Sequence, residues 1–451
     1  MDISQLRDKK ISVIGAARSG VAVAKLLQSQ GSLVFVSDKT GPEKLKTEAQ
    51  MLRELGIAYE LGGHSDRAYE CSLIVISPGV PSNAPVVLEA RTRGINVVSE
   101  VEVASWFCRS TIIAITGSNG KTTTTTLIGR ILGDAKKKHA VAGNIGTAFS
   151  SVVLELAPAD IAVLEISSFQ LDHCETFRPR ISAIMNITQN HMDRYDHSME
   201  KYAGSKARIF MNQKDDDILI YDADDEQTVK IVESARCRRI PFSIRQRLAE
   251  GASVENGMLV TTLAGKRTEV INVDEISIKG PHNLYNAMAA SLVGQLEGVG
   301  TASIRATLRN FKGVEHRQEF VREVNGVRYY NDSKATSVEA VRYALQAYDQ
   351  PIVLMLGGRD KGNDYARILD LVQKHVRAIV AMGESADKVE MAFSGTKPVR
   401  RANSIDEAVQ TAQRLAQRGD VVLLSPACAS FDWFENYEQR GRVFKELVKN
   451  L

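Results

Sequence analysis

Short apolar runs alternate with amphipathic stretches along most of the chain, the pattern of strands and helices in parallel α/β layers. The apolar runs are rich in Val and Ile and too short to be buried helices. Three blocks each open on such a strand, near residues 11, 112 and 327. We therefore predict an α/β protein of three domains, with boundaries at 1–100, 101–313 and 314–451.

The first block opens on a strand, a glycine turn and a helix. The strand over 11–14 leads to Gly15, and the next strand ends at Asp38. An acid about 20 residues beyond a glycine turn belongs to the dinucleotide-binding fingerprint, but Ala17 replaces the middle glycine of that fingerprint. The loop 78–81 follows another strand, and such loops line ligand crevices. The block is predicted to be Rossmann-like, and this pattern leaves its ligand open.

The second block contains the most informative segment, 112–123, in which a strand, a glycine-bearing turn and a helix follow one another. Such a turn presents backbone N–H groups and a helix N-terminus to phosphate oxygens. Lys121 could reach the terminal phosphates, and the Thr122 hydroxyl could bind Mg²⁺. Ile115 stands where a strict phosphate loop has its first glycine. We predict a P-loop-type mononucleotide-binding sheet that uses ATP or GTP, against the plainer interpretation of a turn with a surface lysine.

Two polar side chains follow later strands of the same block. Glu165 ends an apolar strand, where an acid beside a phosphate loop can hold Mg²⁺ or orient a water. The alternative for Glu165 is a strand-end charge in solvent. His191 follows the strand over 181–187. It is either a structural histidine or, at the same sheet edge, a second metal ligand or substrate contact.

Lys206 lies on the apolar stripe of a helix that we predict over 199–211, with Ser198 as its cap. Tyr202 and Phe210 lie four residues to either side on that stripe. A lysine in this position can pack its stem and extend its ammonium to solvent. The alternative is an inward lysine near two cations, whose uncharged amine could react with CO₂ to give a metal-binding carbamate. The pattern alone favours the first interpretation.

The end of the second block has a different character. Asp-rich turns and short alternating strands in 214–280 predict a small antiparallel appendage rather than further βαβ units. A helix follows Gly280 and Pro281, and it opens with Asn283 and Asn286 in its first turns. These two side chains could hydrogen-bond a nucleotide base or serve as helix caps, and the pattern does not decide between the two roles.

The third block has four strands that each end in a polar loop rich in Gly or Ser. This predicts a second Rossmann-like sheet with its binding edge on one side. In the loop 331–337, Lys334 could contact ATP phosphates from another domain, or the loop could be a capping turn. Lys361, after a Gly-Gly turn, and Ser430, in the last loop, are candidates for binding a carboxylate.

Composition narrows the classes of function. The chain has 451 residues, of which 44% are hydrophobic and 25% charged, with a net charge of +3. That balance is ordinary for a soluble globular protein and argues against nucleic acid as a partner. Five scattered cysteines without a C-x-x-C pair indicate free thiols in a reducing compartment. No apolar run reaches the roughly 18 residues of a membrane helix, and a strand begins almost at once. We expect a cytoplasmic protein with no membrane insertion.

Together these segments resemble the Mur ligase family over nearly the whole chain. The variant phosphate loop 116–122 is that family's form. The segments 190–195, 331–336 and 425–432 look most like the branch that adds D-glutamate to UDP-N-acetylmuramoyl-L-alanine. The sequence lacks the Asp-Asn-Pro-Arg motif of the ligases that add the third amino acid. The resemblance implies an ATP-dependent amide ligase of peptidoglycan precursor synthesis that works through an acyl phosphate. It would use two Mg²⁺ and small-molecule substrates, and we expect a monomer.

The resemblance also implies roles for matching positions. Those implied for the UDP-linked substrate are Gly15, Ser19, Asp38, Lys39, Thr40, Gly79, Asn144, Ser167, Gln170 and His191. Those implied for ATP are Gly117, Ser118, Asn119, Gly120, Lys121, Thr122, Thr123, Asn283, Arg317, Asp332 and Lys334. Those implied for D-glutamate are Thr336, Lys361, Ser430 and Phe431. The implied metal ligands are Thr122, Glu165, His191 and Lys206, and the implied catalytic residues are Lys121, Glu165, His191 and Lys206.

Two of these assignments change an earlier interpretation. Lys206 falls where the family carries a carbamylated lysine, so the resemblance favours the inward lysine. The first domain would bind a UDP-sugar rather than a dinucleotide, which accounts for its broken fingerprint. One departure is Arg359, which stands where some relatives have an acid. It leaves the roles of Arg359 and Asp360 open.

Three other functions fit parts of the pattern. A folylpolyglutamate synthase has the same phosphate loop, but the D-glutamate-ligase segments argue against it. A Rossmann dehydrogenase would need NAD in the first domain, and Ala17 weighs against that. A nucleotide-binding protein without catalysis would bind ATP but release no phosphate with any amino acid.

Overall fold

The computed structural model describes residues 6–190, 192–360 and 362–451. Its first sheet has five parallel strands, in the order β3-β2-β1-β4-β5. Its strands are β1 (Lys10–Ile14), β2 (Leu33–Asp38), β3 (Ala58–Leu61), β4 (Leu73–Ile76) and β5 (Asn96–Ser99). Its helices are α1 (Arg18–Ser29), α2 (Lys46–Glu54), α3 (Pro85–Thr92) and α4 (Glu100–Phe107). The strand order reverses between β1 and β4, which is where open α/β sheets bind their ligands.

The second sheet has nine strands in the order β14-β13-β12-β11-β10-β9-β6-β8-β7. They are β6 (Thr111–Thr116), β7 (His139–Gly143), β8 (Ile161–Glu165), β9 (Ile181–Ile184), β10 (Ile218–Asp222), β11 (Arg238–Ser243), β12 (Gly251–Glu255), β13 (Met258–Leu263) and β14 (Lys266–Asn272). The helices over this part of the chain are α5 (Lys121–Asp134), α6 (Phe149–Val152), α7 (Ser168–Leu171), α8 (Met199–Ala207), α9 (Glu226–Val232), α10 (Pro281–Leu296) and α11 (Thr301–Asn310). The phosphate loop joins β6, inside the sheet, to α5.

The antiparallel part of this sheet is confirmed but is smaller than the predicted 214–280. Strands β10 and β11 pair in parallel with α9 between them, so they form one more βαβ unit. Only β12, β13 and β14 pair antiparallel, and they continue the same sheet. The Asp-rich segment is a strand-to-helix connection, because the Asp225 carboxylate accepts the backbone N–H of Thr228 and caps α9. The helix predicted over 199–211 ends earlier, at Ala207.

The third sheet has six strands in the order β15-β16-β20-β17-β18-β19. They are β15 (Glu319–Val324), β16 (Val327–Asn331), β17 (Ile352–Gly357), β18 (Val376–Met382), β19 (Val399–Ala402) and β20 (Val421–Leu424). The helices that follow are α12 (Val338–Leu345), α13 (Leu369–His375), α14 (Ala386–Phe393), α15 (Ile405–Leu415) and α16 (Tyr437–Lys449). Strand β15 is antiparallel to β16 and the other pairs are parallel, so the predicted Rossmann-like sheet carries one antiparallel edge strand.

The chain forms two compact units. One comprises the residues up to Glu275 together with Tyr285–Arg309, and the other comprises Ile276–Leu284 with Asn310–Leu451. The first two sheets lie in the first unit and share one apolar core that draws side chains from both. The third sheet has a buried apolar cluster of its own on each face. The α/β fold with three sheets is as expected, and the exact domain boundaries stay a prediction. No helix in the described ranges is long and apolar enough to span a membrane.

Candidate active site

The phosphate loop turns sharply between β6 and α5, and two glycines make the turn possible. Gly117 has a φ of +146° and Gly120 a φ of +83°, both in the region that favours glycine. A Cβ on Gly117 would lie 2.9 Å from the Met185 Cβ, and one on Gly120 would lie 2.5 Å from the Asn286 Oδ1. The predicted order of strand, turn and helix is confirmed, with α5 beginning at Lys121.

Residues after β9 hold the phosphate loop in place. The backbone N–H of Ser118 donates to the Asn186 carbonyl at 2.8 Å, and that of Asn119 donates to the Asn186 Oδ1 at 2.9 Å. The Ser118 hydroxyl donates to the Thr188 carbonyl at 2.9 Å and contacts the Tyr202 hydroxyl at 3.0 Å. The loop is therefore held in place by the segment that follows β9 and by α8.

The two asparagines of α10 have different surroundings. Asn286 is buried, and its Oδ1 accepts the Thr124 hydroxyl at 3.0 Å, so it packs against the first turns of α5. Asn283 donates its side-chain amide to the Lys279 carbonyl at 2.8 Å. Both side chains thus hydrogen-bond to other parts of the protein. The predicted contact of Asn283 with a nucleotide base stays a prediction.

Two lysines donate to the same backbone carbonyl of the loop. The Lys121 Nζ donates to the Gly117 and Ser118 carbonyls at 2.8 and 3.0 Å. The Lys206 Nζ donates to the Gly117 carbonyl at 2.9 Å and lies 4.6 Å from the centre of the Tyr202 ring. Lys206 is only 1% exposed, so the interpretation with its ammonium in solvent is wrong. Burial, and then the nearby Lys121 charge, hold the pKa of Lys206 well below its ordinary value.

Glu165 ends β8 and is 2% exposed, so it is not a strand-end charge in solvent. Its Oε1 accepts the Asn144 side-chain amide at 2.8 Å. Its Oε2 is buried and has no hydrogen-bond partner among the described residues. A buried carboxylate oxygen without a donor is costly unless a cation or ligand satisfies it. Together with Thr122, in the first turn of α5, Glu165 therefore fits a divalent cation.

Three further predicted site positions need separate mention. Ser167 and Gln170 form a capping box on α7, in which the Ser167 Oγ accepts the Gln170 N–H and the Gln170 Oε1 accepts the Ser167 N–H. The Gln170 Nε2 is buried and has no partner among the residues that the structure describes. His191, predicted as a metal ligand and substrate contact, lies outside the described residues.

A cavity of about 590 Å³ lies where the strand order of the first sheet reverses. A cavity of this size takes a ligand as large as a nucleotide. Seven predicted substrate positions line it, namely Gly15, Ser19, Asp38, Lys39, Thr40, Gly79 and Asn144. Asn144 comes from the loop after β7 in the second sheet, and it is the residue that donates to Glu165. One side chain therefore connects the cavity to the edge of the second sheet.

Asp38 builds the floor of this cavity. Its Oδ2 accepts the Ala16 N–H at 2.6 Å and its Oδ1 accepts the Thr40 N–H at 2.7 Å. Gly15 has a φ of +99°, and a Cβ there would lie 2.8 Å from the Ser77 Oγ. The turn after β1 thus needs a glycine and a carboxylate partner.

His64 also lines the cavity and was not among the predicted site residues. Its Nδ1 lies 2.7 Å from the Ser37 Oγ, and burial lowers the pKa of the ring. The missed signal is the Gly62-Gly63 pair, which ends β3 at the same sheet edge as Gly15 and Gly79.

In the second unit, the predicted ATP residues gather at the end of β16. Asp332 is 4% exposed, and its Oδ2 accepts the Ser425 hydroxyl at 2.7 Å. Burial raises the pKa of Asp332 to about 7, although Ser425 and the Arg317 charge act in the opposite direction. The Lys334 Nζ lies 5.9 Å from the centre of the Tyr437 ring. Arg317, Asp332 and Lys334 are thus near neighbours along this edge.

The predicted D-glutamate residues are less clearly assembled. Ser430 is buried, Thr336 is half-buried, and the Phe431 side chain is 58% exposed. Lys361 lies outside the described residues. Arg359 pairs with Glu384 at 2.7 Å and is exposed, as is its partner. An exposed pair of this kind adds little stability.

Glu315, His316 and Glu319 have ligand atoms within 4.8 Å of one another, which would suit a metal ion. Other residues already satisfy these groups. The Lys445 Nζ donates to both carboxylates, at 2.8 and 2.7 Å, and the Asn331 amide contacts the His316 Nδ1 at 2.9 Å. The cluster is an ion-pair network, and we assign no metal to it.

The fold and the phosphate loop define an α/β protein of the phosphate-loop type, and comparison with known proteins narrows the class. Three family models match the chain: the MurD N-terminal domain over 10–86, the Mur ligase middle domain over 115–294, and the Mur ligase glutamate ligase domain over 316–428. The UDP-N-acetylmuramoylalanine–D-glutamate ligase of Salinibacter ruber is 46% identical, with 100% of both chains covered. The enzyme of the same name from Chloroherpeton thalassium is 47% identical, also with 100% of both covered.

A solved structure has the same fold at lower identity. It is the UDP-N-acetylmuramate-alanine ligase MurC of Thermotoga maritima, with a TM-score of 0.62 and 20% identity, covering 98% of this chain and 99% of that one. The two full-length relatives named above are far more similar to this chain in sequence than the solved structure is. The chain belongs to the Mur ligase family and is therefore a ligase.

Proposed function

We propose that this protein uses ATP to join D-glutamate to the alanyl carboxylate of UDP-N-acetylmuramoyl-L-alanine, a step in peptidoglycan precursor synthesis. One observation carries the proposal. The cavity of the first sheet gathers seven predicted substrate positions, and its Asn144 donates to Glu165 beside the phosphate loop. A substrate with its nucleotide end in the cavity could therefore direct its other end toward the loop. The names of the full-length relatives support the same substrates.

The proposed reaction has two steps. An oxygen of the alanyl carboxylate attacks the γ-phosphorus of ATP, the bond to the β,γ-bridging oxygen breaks, and an acyl phosphate and ADP form. The D-glutamate amine then attacks the acyl carbon, phosphate leaves with its electron pair, and the amine gives up a proton to form the amide. Lys121 would leave its loop carbonyls for the phosphates and balance the charge that develops on the transferring group.

We assign the divalent cations to the edge that carries the phosphate loop. Thr122 and Glu165, with His191 and Lys206, would hold two Mg²⁺, which when bound would neutralise phosphate charge. The unpartnered Glu165 Oε2 supports this assignment, because a cation would satisfy it. The Glu165 carboxylate would also keep Asn144 oriented toward the substrate.

A carbamate on Lys206 would remove an unfavourable charge from this edge. The lysine is buried and shares the Gly117 carbonyl with Lys121, so two ammonium groups lie together. The Lys206 ammonium would first lose one proton, and the resulting amine would form an N–C bond to CO₂ and release a second proton, so that an anion replaces a cation. We expect protein equilibrated with ¹³C-bicarbonate to give a carbamate NMR signal that Lys206→Arg lacks. An equal signal from the Lys206→Arg variant would contradict the assignment.

We further propose three working domains, 1–100, 101–313 and 314–451, in a monomer that acts in the cytoplasm. The first would bind the UDP-sugar, the second the ATP phosphates, and the third D-glutamate through Thr336, Lys361, Ser430 and Phe431. Calorimetry with UDP on the full chain tests the first assignment. We expect wild type to bind UDP and Asp38→Asn to bind it more weakly, and equal binding by the two proteins would contradict the assignment.

The experiment that tests the function is phosphate release from Mg-ATP and UDP-N-acetylmuramoyl-L-alanine with a panel of D- and L-amino acids. We expect release with D-glutamate only and a product heavier by one glutamyl residue. Release with a different amino acid would keep the ligase chemistry and overturn the substrate. No release with any amino acid would overturn the ligase proposal itself.

A further inference from the structure

His173 joins three segments of the chain, one of which lines the cavity, and it has no part in the reaction proposed above. It follows α7 and is 3% exposed. Its Nε2 lies 2.9 Å from the Ser82 Oγ, its Nδ1 lies 3.3 Å from the Val97 carbonyl, and its own carbonyl accepts the Ser99 N–H at 2.9 Å. One residue thus joins α7 to β5 and to the loop that contains Ser82.

The contacts determine which ring nitrogen carries the proton. A carbonyl oxygen only accepts, so the Nδ1 must donate to Val97. Burial lowers the pKa of His173, which favours the neutral ring, and the Nε2 is then an acceptor for the Ser82 hydroxyl. The Ser82–His173 contact is therefore a directed hydrogen bond from the loop to the imidazole.

The loop that contains Ser82 forms one wall of the cavity, and it has local backbone bonds, from the Val80 N–H to the Ser77 carbonyl at 3.0 Å and from the Ala84 N–H to the Pro81 carbonyl at 2.9 Å. Pro78, Pro81 and Pro85 line the cavity and have no backbone N–H to donate. The hydrogen bond of the Ser82 side chain to His173 therefore attaches this wall to a distant segment of the chain. On the other side, the segment after α7 is firmly attached, because the Asn96 amide donates to Glu175 at 3.2 Å and Ser99 contacts Cys174.

We propose that His173 is a positioning residue that sets the distance between the nucleotide end of the substrate and its reacting carboxylate. The inference rests on the proposed function, in which the substrate extends from the cavity to the edge of the second sheet. The chain from β8 runs through Glu165 and α7 to His173, and His173 holds the wall through Ser82. Losing the bond frees the wall, so binding of the UDP-linked substrate weakens while the phosphate loop keeps its geometry.

The variants separate the two ring contacts. Ser82→Ala removes only the hydroxyl. His173→Asn keeps a donor near the Nδ1 position and loses the acceptor for Ser82, whereas His173→Gln can present an amide oxygen there. Ser72→Ala is the matched control, since its hydroxyl donates to the Lys10 carbonyl at the other end of β4.

Two readouts are needed: the Kd of UDP-N-acetylmuramoyl-L-alanine by calorimetry without ATP or D-glutamate, and the steady-state kcat and KM values. We expect Ser82→Ala and His173→Asn each to raise that Kd and the KM for this substrate about tenfold, the loss of one hydrogen bond. The kcat and the KM for ATP should stay within about twofold, the double variant should be no worse than either single one, and His173→Gln should be close to wild type.

An unchanged Kd in Ser82→Ala would overturn the positioning role. A parallel fall of kcat and thermal stability in every His173 variant, Gln included, would overturn it as well, because a structural role predicts that result. Wild type that binds the substrate but does not turn over would contradict the ligase proposal, and the Kd comparison would still test His173. Wild type that does not bind the substrate would overturn both.

Discussion

The cavity of the first sheet and the phosphate loop satisfy their polar groups in different ways. In the cavity, the Asp38 carboxylate accepts two backbone N–H groups, one on each oxygen, and fixes the turn after β1. In the phosphate loop, the ammonium groups of Lys121 and Lys206 donate to the loop's own Gly117 carbonyl. Each carboxylate oxygen of Asp38 has a further lone pair, so the cavity could receive a ligand without losing these bonds. The loop lysines would have to change partners.

This difference predicts two kinds of mutational effect. Removing a lysine from the phosphate loop should act mainly on rate, because the lysines exchange partners as charge moves. Changes in the cavity should act mainly on affinity for the UDP-linked substrate. The variants below test that division, from the largest expected effect to the smallest.

Lys121→Ala should have the largest effect. It removes the ammonium that would meet the terminal phosphates, and we expect kcat for phosphate release to fall by about 10²–10³. The Kd of the UDP-linked substrate should not change, and calorimetry on the same preparation provides that control. A kcat within about tenfold of wild type would contradict the role of Lys121.

Gly120→Ala tests the shape of the phosphate loop. A methyl group at a φ of +83° is strained, and it would lie 2.5 Å from the Asn286 Oδ1. We expect a loss of about 2–4 kcal/mol in stability and a marked loss of ATP binding. Gly146→Ala is the control, with a φ of +56° and no atom within 4 Å of the new methyl, and should cost about 1 kcal/mol. Equal thermal shifts for the two variants would contradict the steric account.

Asp332, a buried carboxylate in the second unit, makes the stability depend on pH. The pKa of Asp332 is raised to about 7, above its value in the unfolded chain, so protonation favours the folded form. As the pH falls from 8 to 5, wild type should gain about 2 kcal/mol of stability relative to Asp332→Asn, which cannot titrate. Thermal unfolding of both proteins across this range measures the difference. A constant difference would show that Asp332 keeps an ordinary pKa.

Asp38→Asn should have the smallest effect on stability and a selective effect on binding. An amide has one acceptor oxygen, so either the Ala16 or the Thr40 N–H would face an NH₂ group. We expect a cost of about 1 kcal/mol and a Kd for the UDP-linked substrate that rises about tenfold. The kcat at saturation should change little. A fall in kcat with an unchanged Kd would reverse the comparison between the two regions.

The central strands were predictable because they are buried on both faces and form continuous apolar runs. Strands β6, β8, β17 and β20 are of this kind. The edge strands β15 and β19 were missed because they are mostly exposed and carry charged residues. The unit β10–α9–β11 was mistaken for part of an antiparallel appendage because its connection is rich in Asp, which is also typical of turns.

The site was predictable where local pattern decides the geometry, and less so where tertiary contacts do. The glycine turn and the strand-end Glu165 follow from the order of elements. The inward orientation of Lys206 does not, because helical periodicity fits a packed stem with either direction of the ammonium. His173 carries no motif at all, and its proposed role depends on a contact with a loop about 90 residues earlier in the chain.

The most direct test of the central claim follows one oxygen atom. UDP-N-acetylmuramoyl-L-alanine with ¹⁸O in its alanyl carboxylate is incubated with the protein, Mg-ATP and either D- or L-glutamate. We predict that the released phosphate carries one ¹⁸O, in step with amide formation, and only with D-glutamate. Unlabelled phosphate, or the same release without an amino acid, would contradict the proposed ligase reaction.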